Sequence, residues 1–92
     1  MSTDQKTTPS PESVRTGLVE HLSSVLKTQV TPAQDLFADG LVSSMSAMQL
    51  VVHLETTYEI EIVGRDLRLD NFRTVEAMVA LVLRASAQPS DQ

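Results

Sequence analysis

The chain has 92 residues, a formal net charge of -5 at neutral pH and no cysteine. A chain of this length forms one domain with one small core, so a deep substrate cleft is not expected. The absence of cysteine excludes disulfide frameworks, thiolate metal sites and cysteine nucleophiles, and two isolated histidines indicate no metal site. No apolar run is long enough to span a membrane and residues 1–10 lack the apolar segment of a signal peptide, so we expect a soluble, cytoplasmic protein.

The acidic residues are unevenly placed along the chain. Between Thr28 and Gly64 there is no Lys or Arg, and the acids there are Asp35, Asp39, Glu55, Glu59 and Glu61. Like-charge repulsion disfavours binding of a nucleic-acid backbone and makes a basic protein surface the natural partner. The alternative is a solvated acidic face that binds nothing.

The first predicted element is a helix that follows a polar tail. Residues 1–9 are too polar to contribute to a core and are predicted to be disordered. Ser10 provides a capping hydroxyl and Pro11 suits the first helical position. An apolar stripe with helical spacing follows at Val14, Leu18, Leu22, Val25 and Leu26. Gly17 lies inside this helix, and His21 falls just off the stripe and is expected at the surface.

Periodicity is absent between Thr28 and Leu41, which predicts a long loop. Leu36 and Phe37 form an apolar pair that is expected to pin the loop to the core. The Asp39-Gly40 pair is expected to make its last turn. Loops of this length in small domains are functional or disordered, and the apolar pair argues against disorder.

The second helix is the strongest in the chain and is predicted from about Ser44 to Thr57, without Gly or Pro. Its core stripe comprises Ala47, Leu50, Val51, Leu54 and Tyr58. A second stripe comprises Met45, Met48 and Val52. This second stripe is either additional core or an exposed apolar strip, for which methionine suits a surface that accepts several partners in turn. His53 lies opposite the core stripe and is expected to be exposed.

The segment Glu59–Ile62 alternates between acidic and apolar residues but has no partner strand in the sequence, so it is predicted to be an extended connector. Residues 65–71 are predicted to form one short helical turn. Leu67 and Leu69 are expected to be buried in that turn, and Phe72 is expected to pack inward.

Thr74 is the predicted N-cap of a last helix that ends near Ala85. Its predicted apolar face comprises Val75, Met78, Val79, Val82 and Leu83. Together, the predicted elements indicate an all-α fold. It is a small four-helix bundle of three longer helices and one short one, with a long loop between the first two. This domain is expected over residues 10–85, and residues 86–92 are expected to form a second disordered tail.

Ser44 places a hydroxyl at the junction between the loop and the second helix, but the sequence does not predict catalysis. A serine nucleophile needs a base within hydrogen-bond reach. His53 lies nine residues further along the same helix, about 13 Å away by helical rise. The sequence also has no Walker motif and no dinucleotide-binding glycine pattern. We therefore expect a protein that is not an enzyme.

The runs DLFADGLVSSMSAMQLVVHLE, YEIEI, RDLRLDNF and RTVEAMVALV resemble the carrier (thiolation) proteins of thiotemplate systems. This group includes acyl carrier proteins, peptidyl carrier domains of nonribosomal peptide synthesis and D-alanyl carrier proteins. The resemblance covers nearly everything from Ser10 to Ala85. The spacing of Asp-Leu-Phe, Asp-Gly, Ser-Met and Gln-Leu is most similar to that of free-standing aminoacyl carriers.

The resemblance implies a covalent cofactor and a set of partners. In such carriers a phosphopantetheinyl transferase moves 4'-phosphopantetheine from coenzyme A to a serine at the start of the second helix. An adenylating ligase or another loading enzyme then attaches an acyl or aminoacyl group as a thioester, and downstream enzymes accept it. The matching position is Ser44, because a large apolar residue follows it; Ser43 and Ser46 fit less well. The residues implied in partner docking are Leu41, Ser43, Met45, Met48 and Val52, on a protein expected to be monomeric.

The sequence departs from the family pattern at Ser43, where aspartate is usual. Serine retains the capping oxygen but lacks the negative charge at the helix N-terminus, which affects encounter with a transferase more than final affinity. An alternative function is therefore an unmodified acidic interaction module with a carrier-like fold. Positions that fatty-acid carriers often fill with acids hold Gln49, His53, Thr56 and Thr57, which favours an aminoacyl system such as nonribosomal peptide or antibiotic biosynthesis.

Overall fold

The computed structural model describes residues 9–87 of the chain. These residues form three α-helices, α1 (Pro11–Leu26), α2 (Ser44–Tyr58) and α3 (Val75–Ala87), with no strand among them. The all-α fold is confirmed. The two tails predicted at the chain ends lie outside the described residues, except that Pro9 precedes α1 and that α3 continues two residues beyond Ala85.

The short fourth helix predicted at residues 65–71 is absent, and two separate 3₁₀ turns, Gly64–Asp66 and Leu69–Phe72, take its place. The backbone between them explains the interruption, because Arg68 is extended with φ of -128° and ψ of 142°. The expected burial of Leu67 and Leu69 is also wrong, since their exposed fractions are 49% and 48%. Phe72 is buried, as predicted.

Helix α1 begins and packs as its sequence signals indicate. Ser10 is the N-cap and its Oγ accepts a hydrogen bond from the Ser13 N–H at 3.1 Å. The predicted stripe is buried at Val14, Leu18 and Leu22, whereas Val25 is exposed. Val25 lies in the last turn, just before Lys27 takes the left-handed conformation and leads the chain away from the helix axis.

The loop between α1 and α2 is ordered by its own backbone bonds and by α3. Leu36 is fully buried, and its N–H donates to the Arg73 carbonyl at 2.8 Å. The Glu76 N–H donates to the Pro32 carbonyl at 3.0 Å, which holds the loop against the start of α3. Gly40 has φ of 76°, a left-handed conformation that favours glycine, so the predicted Asp39-Gly40 turn is confirmed.

Helices α1 and α2 cross in antiparallel directions. A Cβ atom on Gly17 would lie 3.3 Å from the Tyr58 hydroxyl, so the glycine makes room for the tyrosine. Four residues later on α1, His21 stacks on His53, five residues earlier on α2. His53 is therefore partly buried rather than exposed as predicted. The stack explains the difference, because a ring from α1 covers one face of the His53 ring.

Helix α3 lies at the centre of the core. It packs against α1 on one side and against the second 3₁₀ turn on another. More of its surface is therefore buried than the single apolar face that the sequence predicts. The Thr74 side chain accepts a hydrogen bond from the Ala77 N–H at 3.0 Å, which confirms the predicted cap. The buried residues of α3 are Val75, Met78, Val79, Leu81 and Val82. Leu81 was not predicted, and Leu83 is only partly buried.

Candidate functional site

The α2 N-terminus is built by a serine cap. Ser43 is extended, with φ of -106° and ψ of 176°, and its Oγ accepts a hydrogen bond from the Ser46 N–H at 3.2 Å. The Ser43 hydroxyl in turn lies 3.3 Å from Ser46 Oγ, to which it donates. Both hydroxyls are thus engaged in the cap, as expected for a serine at this position.

Ser44 is the first residue of α2, and its side chain is exposed. Its hydroxyl takes part in none of the hydrogen bonds between residues 9 and 87. The first turn of α2 contains no acid, so no carboxylate on the helix competes for its N-terminal N–H groups. Of the three serines at this junction, Ser44 presents the hydroxyl that is accessible and uncommitted.

A groove of about 330 Å³ opens beside Ser44. Its lining comprises Phe37, Val42, Ser43, Ser44, Leu69 and Arg73. Val42 is buried and contributes to the core, whereas Leu69 is half exposed. Leu69 is therefore exposed to the groove, and its side chain forms part of the groove wall.

Arg73 joins the loop, the second 3₁₀ turn and the groove. Its guanidinium lies 5.5 Å from the centre of the Phe37 ring and forms ion pairs with Asp35 at 3.2 Å and Asp70 at 3.3 Å. The pKa of Asp35 is lowered, first by the hydrogen bond that its carboxylate accepts from the Ala38 N–H and then by Arg73. Arg73 therefore fixes the loop wall of the groove and places a cation at its edge.

The second stripe of α2 is exposed. The exposed fractions are 82% for Met45, 63% for Met48 and 61% for Val52. The opposite face is buried through Ala47, Leu50, Val51 and Leu54. Of the two interpretations of this stripe, additional core is therefore wrong and an exposed apolar strip is correct. Leu41, at the end of the loop, is partly buried against the core.

Two of the acids between Thr28 and Gly64 form specific contacts within the described residues. Asp35 is paired with Arg73, and the Glu55 carboxylate accepts a hydrogen bond from the Ile62 N–H at 2.9 Å. Arg65 and Arg68 are exposed on the connector that leads to Leu69, and neither forms an ion pair within the described residues. Asp35 is thus paired with a cation, whereas the hydrogen bond to Glu55 leaves the charge of that carboxylate in place.

Ser44 lacks the environment of a nucleophile. The ring of His53 is stacked on His21, and the Nδ1 atom of His53 lies 3.4 Å from the Thr57 hydroxyl. Among residues 9–87 no cluster of three or more His, Cys, Asp or Glu side chains is arranged to hold a metal. In the same range, no helix is both long and apolar enough to cross a bilayer.

The sequence identified part of this site. It pointed to Ser44, to the cap at Ser43 and to the strip of Met45, Met48 and Val52, but it missed Val42, Leu69 and Arg73. No local pattern indicated Arg73, because its place in the site depends on its contacts with Phe37 and Asp35, which are distant in sequence.

A family model for the phosphopantetheine attachment site matches residues 16–82, a range that includes α2 and every residue lining the groove. A search of curated proteins finds no significant match. Members of this family bind 4'-phosphopantetheine covalently and carry acyl groups without catalysing their reactions. Because the match extends over most of the chain, the protein belongs to the family of carrier proteins with a phosphopantetheine attachment site.

Proposed function

We propose that the protein is a free-standing carrier that holds an activated aminoacyl or acyl group as a thioester on a 4'-phosphopantetheine arm attached to Ser44. The observation that carries this proposal is the difference between the three serines at the α2 N-terminus. Ser43 and Ser46 are engaged with each other, whereas Ser44 is exposed and has no partner among the described residues.

The residues around Ser44 fit the arm. A phosphodiester at Ser44 Oγ would carry its negative charge at a helix N-terminus, where N–H groups and the helix dipole favour anions. Arg73 would add a cation at the groove edge, while Phe37, Val42 and Leu69 would offer apolar walls to the pantetheine part. The bound arm supplies the thiol on which the thioester is carried.

The exposed strip of α2 is the proposed docking surface for the enzymes that act on the arm. It comprises Met45, Met48 and Val52, with Leu41 and Ser43 at its Ser44 end. Methionine side chains adapt to different partner surfaces, which suits a carrier that meets a phosphopantetheinyl transferase, a loading enzyme and acceptor enzymes in turn. Its position directly beside Ser44 supports this role.

The proposed cargo is aminoacyl rather than a long fatty acyl chain, in nonribosomal peptide or related secondary metabolism. Gln49, Thr56 and Thr57 keep the exposed side of α2 free of acids. The groove is small and open, which suits a small cargo better than an extended chain. We place this monomeric carrier domain at residues 10–85 and in the cytoplasm, where coenzyme A is available to a transferase.

The test is incubation of the purified protein with coenzyme A and a promiscuous phosphopantetheinyl transferase, followed by intact mass measurement. The expected result is addition of one phosphopantetheine. The product is then offered to a panel of adenylating ligases with ATP and amino acids, where thioester formation with an amino acid supports the aminoacyl role. Failure to add any phosphopantetheine would contradict the carrier function and favour an unmodified interaction module.

A further inference from the structure

Two histidines far apart in sequence form the closest aromatic contact between α1 and α2. The ring centres of His21 and His53 lie 3.6 Å apart and the ring planes differ by 7°, so the imidazoles are stacked face to face. Both side chains are partly buried. Another close approach of these helices, Tyr58 over Gly17, lies about one helical turn away and contains no group that titrates near neutral pH.

The surroundings of this pair offer little compensation for positive charge. On α1 the neighbours of His21 one turn away are Gly17, Leu18, Ser24 and Val25, and on α2 those of His53 are Gln49, Leu50, Thr56 and Thr57. None of them carries a charge. The acids nearest in sequence, Glu20 and Glu55, form no ion pair with either ring, and the Glu55 carboxylate accepts a hydrogen bond from the Ile62 N–H.

No charged group of α3 or of the loop between α1 and α2 is paired with either histidine. The two charged residues of α3 are both in ion pairs, Glu76 with Arg15 and Arg84 with Asp66. In the loop, Asp35 pairs with Arg73 and Asp39 accepts a hydrogen bond from Gln34. Within the described residues, neither ring has a carboxylate within hydrogen-bond distance, so a second proton on the pair would meet an uncompensated charge.

We propose that the His21–His53 stack is a proton-sensitive clasp between α1 and α2, closed while at least one imidazole is neutral and opened when both are protonated. Two imidazolium rings at this separation repel each other strongly, because they are partly shielded from water. One helix of the clasp carries Ser44, nine residues before His53. Protonation therefore acts on the packing of the helix that presents the attachment site.

The direction of the pH effect follows from His53. Its pKa is lowered, first by burial and then by the positive charge of His21. The folded protein therefore binds fewer protons than the unfolded chain as the pH falls past the ordinary histidine value of about 6.5. The stabilising contribution of the clasp is present above that pH and is lost as the pH falls through it towards the lower pKa of the folded state.

The test compares thermal unfolding between pH 7.5 and pH 5.0 for the wild-type protein, His21→Gln, His53→Gln and the double variant. Glutamine keeps a polar side chain of similar reach but takes up no proton. The wild-type melting temperature is expected to fall by several degrees more than that of the double variant over this range. His53→Gln removes the group whose pKa is lowered, so its curve is expected to follow the double variant. His21→Gln keeps the partly buried His53, so its curve is expected to lie between those of the wild-type protein and the double variant. Equal pH dependence in all four proteins would overturn the proposal.

Histidine Cε1 proton titration by NMR on the wild-type protein gives a readout that does not depend on the stability of any variant. The expected result is a His53 midpoint below about 6.5 that moves upward in His21→Gln. A His53 midpoint at the ordinary value that does not change in His21→Gln would overturn the clasp.

Discussion

The Ser43 Oγ atom accepts a hydrogen bond from the Ser46 N–H at 3.2 Å, so serine caps α2 at the position where the resemblance to carrier proteins implies an aspartate. An aspartate would perform the same capping and would add a negative charge at the helix N-terminus. The two contributions of that position, capping and charge, can therefore be separated by substitution.

Ser43→Ala is expected to lower the free energy of unfolding by about 1 kcal/mol, the usual effect of losing an N-cap. In a domain of this size, that corresponds to a fall in melting temperature of roughly 4–8 °C. Ser43→Asp is the matched control, which retains the cap and is expected to melt at or slightly above the wild-type temperature. Circular dichroism melting curves measure both, and an unchanged melting temperature in Ser43→Ala would show that the cap does not stabilise α2.

The same pair of variants separates stability from recognition. Ser43→Asp is expected to speed modification by a transferase with a basic docking site, because the added charge favours encounter. The measurement is the initial rate of phosphopantetheine incorporation at low and at high salt. A rate gain that persists undiminished at high salt would contradict an electrostatic origin.

Met45→Ala and Met48→Ala are expected to slow loading by the cognate enzyme about fivefold or more, the effect of losing roughly 1 kcal/mol at a docking contact. Their melting temperatures are expected to stay near the wild-type value, since both side chains are mostly exposed. Met78→Ala is the matched control in the core, where Met78 is fully buried, and is expected to cost about 2 kcal/mol or more. A large stability loss in Met45→Ala or Met48→Ala, or loading at the wild-type rate, would exclude the docking role.

Gly17→Ala tests the close approach of α1 and α2. Alanine favours the helix by about 1 kcal/mol, but its Cβ would lie 3.3 Å from the Tyr58 hydroxyl. The substitution is therefore expected to stabilise a Tyr58→Phe protein more than the wild-type protein. Chemical denaturation of the wild-type protein, Gly17→Ala, Tyr58→Phe and the double variant measures the coupling energy between the two positions. An identical effect of Gly17→Ala in both backgrounds would show that the tyrosine hydroxyl does not limit the approach of the helices.

The contribution of the Asp35 carboxylate to the free energy of unfolding is expected to depend on pH. Because its pKa is lowered in the folded protein, its contribution is present above the unfolded value of about 3.9 and is lost as the pH falls through the lower folded value. Asp35→Asn can still accept the Ala38 N–H but loses the charge that faces Arg73. The melting temperatures of wild type and variant are expected to differ at pH 6 and to converge as the pH falls below the unfolded value of about 3.9 towards the lower folded value. A constant difference over that range would show that the charge is not responsible.

The sequence predicted those features that depend on neighbouring residues. The cap of α1 at Ser10, the start of α2 at Ser44 and the cap of α3 at Thr74 are confirmed, because capping needs only a side-chain oxygen and an N–H about three residues later. The two faces of α2 were also separable, since helical spacing alone assigns residues to faces. Whether the second face, with Met45, Met48 and Val52, is also buried depended on the positions of the other helices.

The errors come from contacts between distant segments. Leu67 and Leu69 were expected in the core, but the extended Arg68 divides the predicted turn and leaves both leucines half exposed. The stacking of His21 on His53 depends on the crossing and register of α1 and α2, which no local pattern encodes. Arg73 became part of the site through its contacts with Phe37 and Asp35, which precede it by more than thirty residues.

The central claim is that Ser44 carries the arm, and peptide mass spectrometry tests it most directly. The wild-type protein, Ser43→Ala, Ser44→Ala and Ser46→Ala are each incubated with coenzyme A and a promiscuous phosphopantetheinyl transferase, and the modified serine is located by fragmentation. We predict phosphopantetheine on Ser44 in every protein that retains this serine and no addition to Ser44→Ala. Phosphopantetheine on Ser43 or Ser46, or addition that persists in Ser44→Ala, would contradict the account.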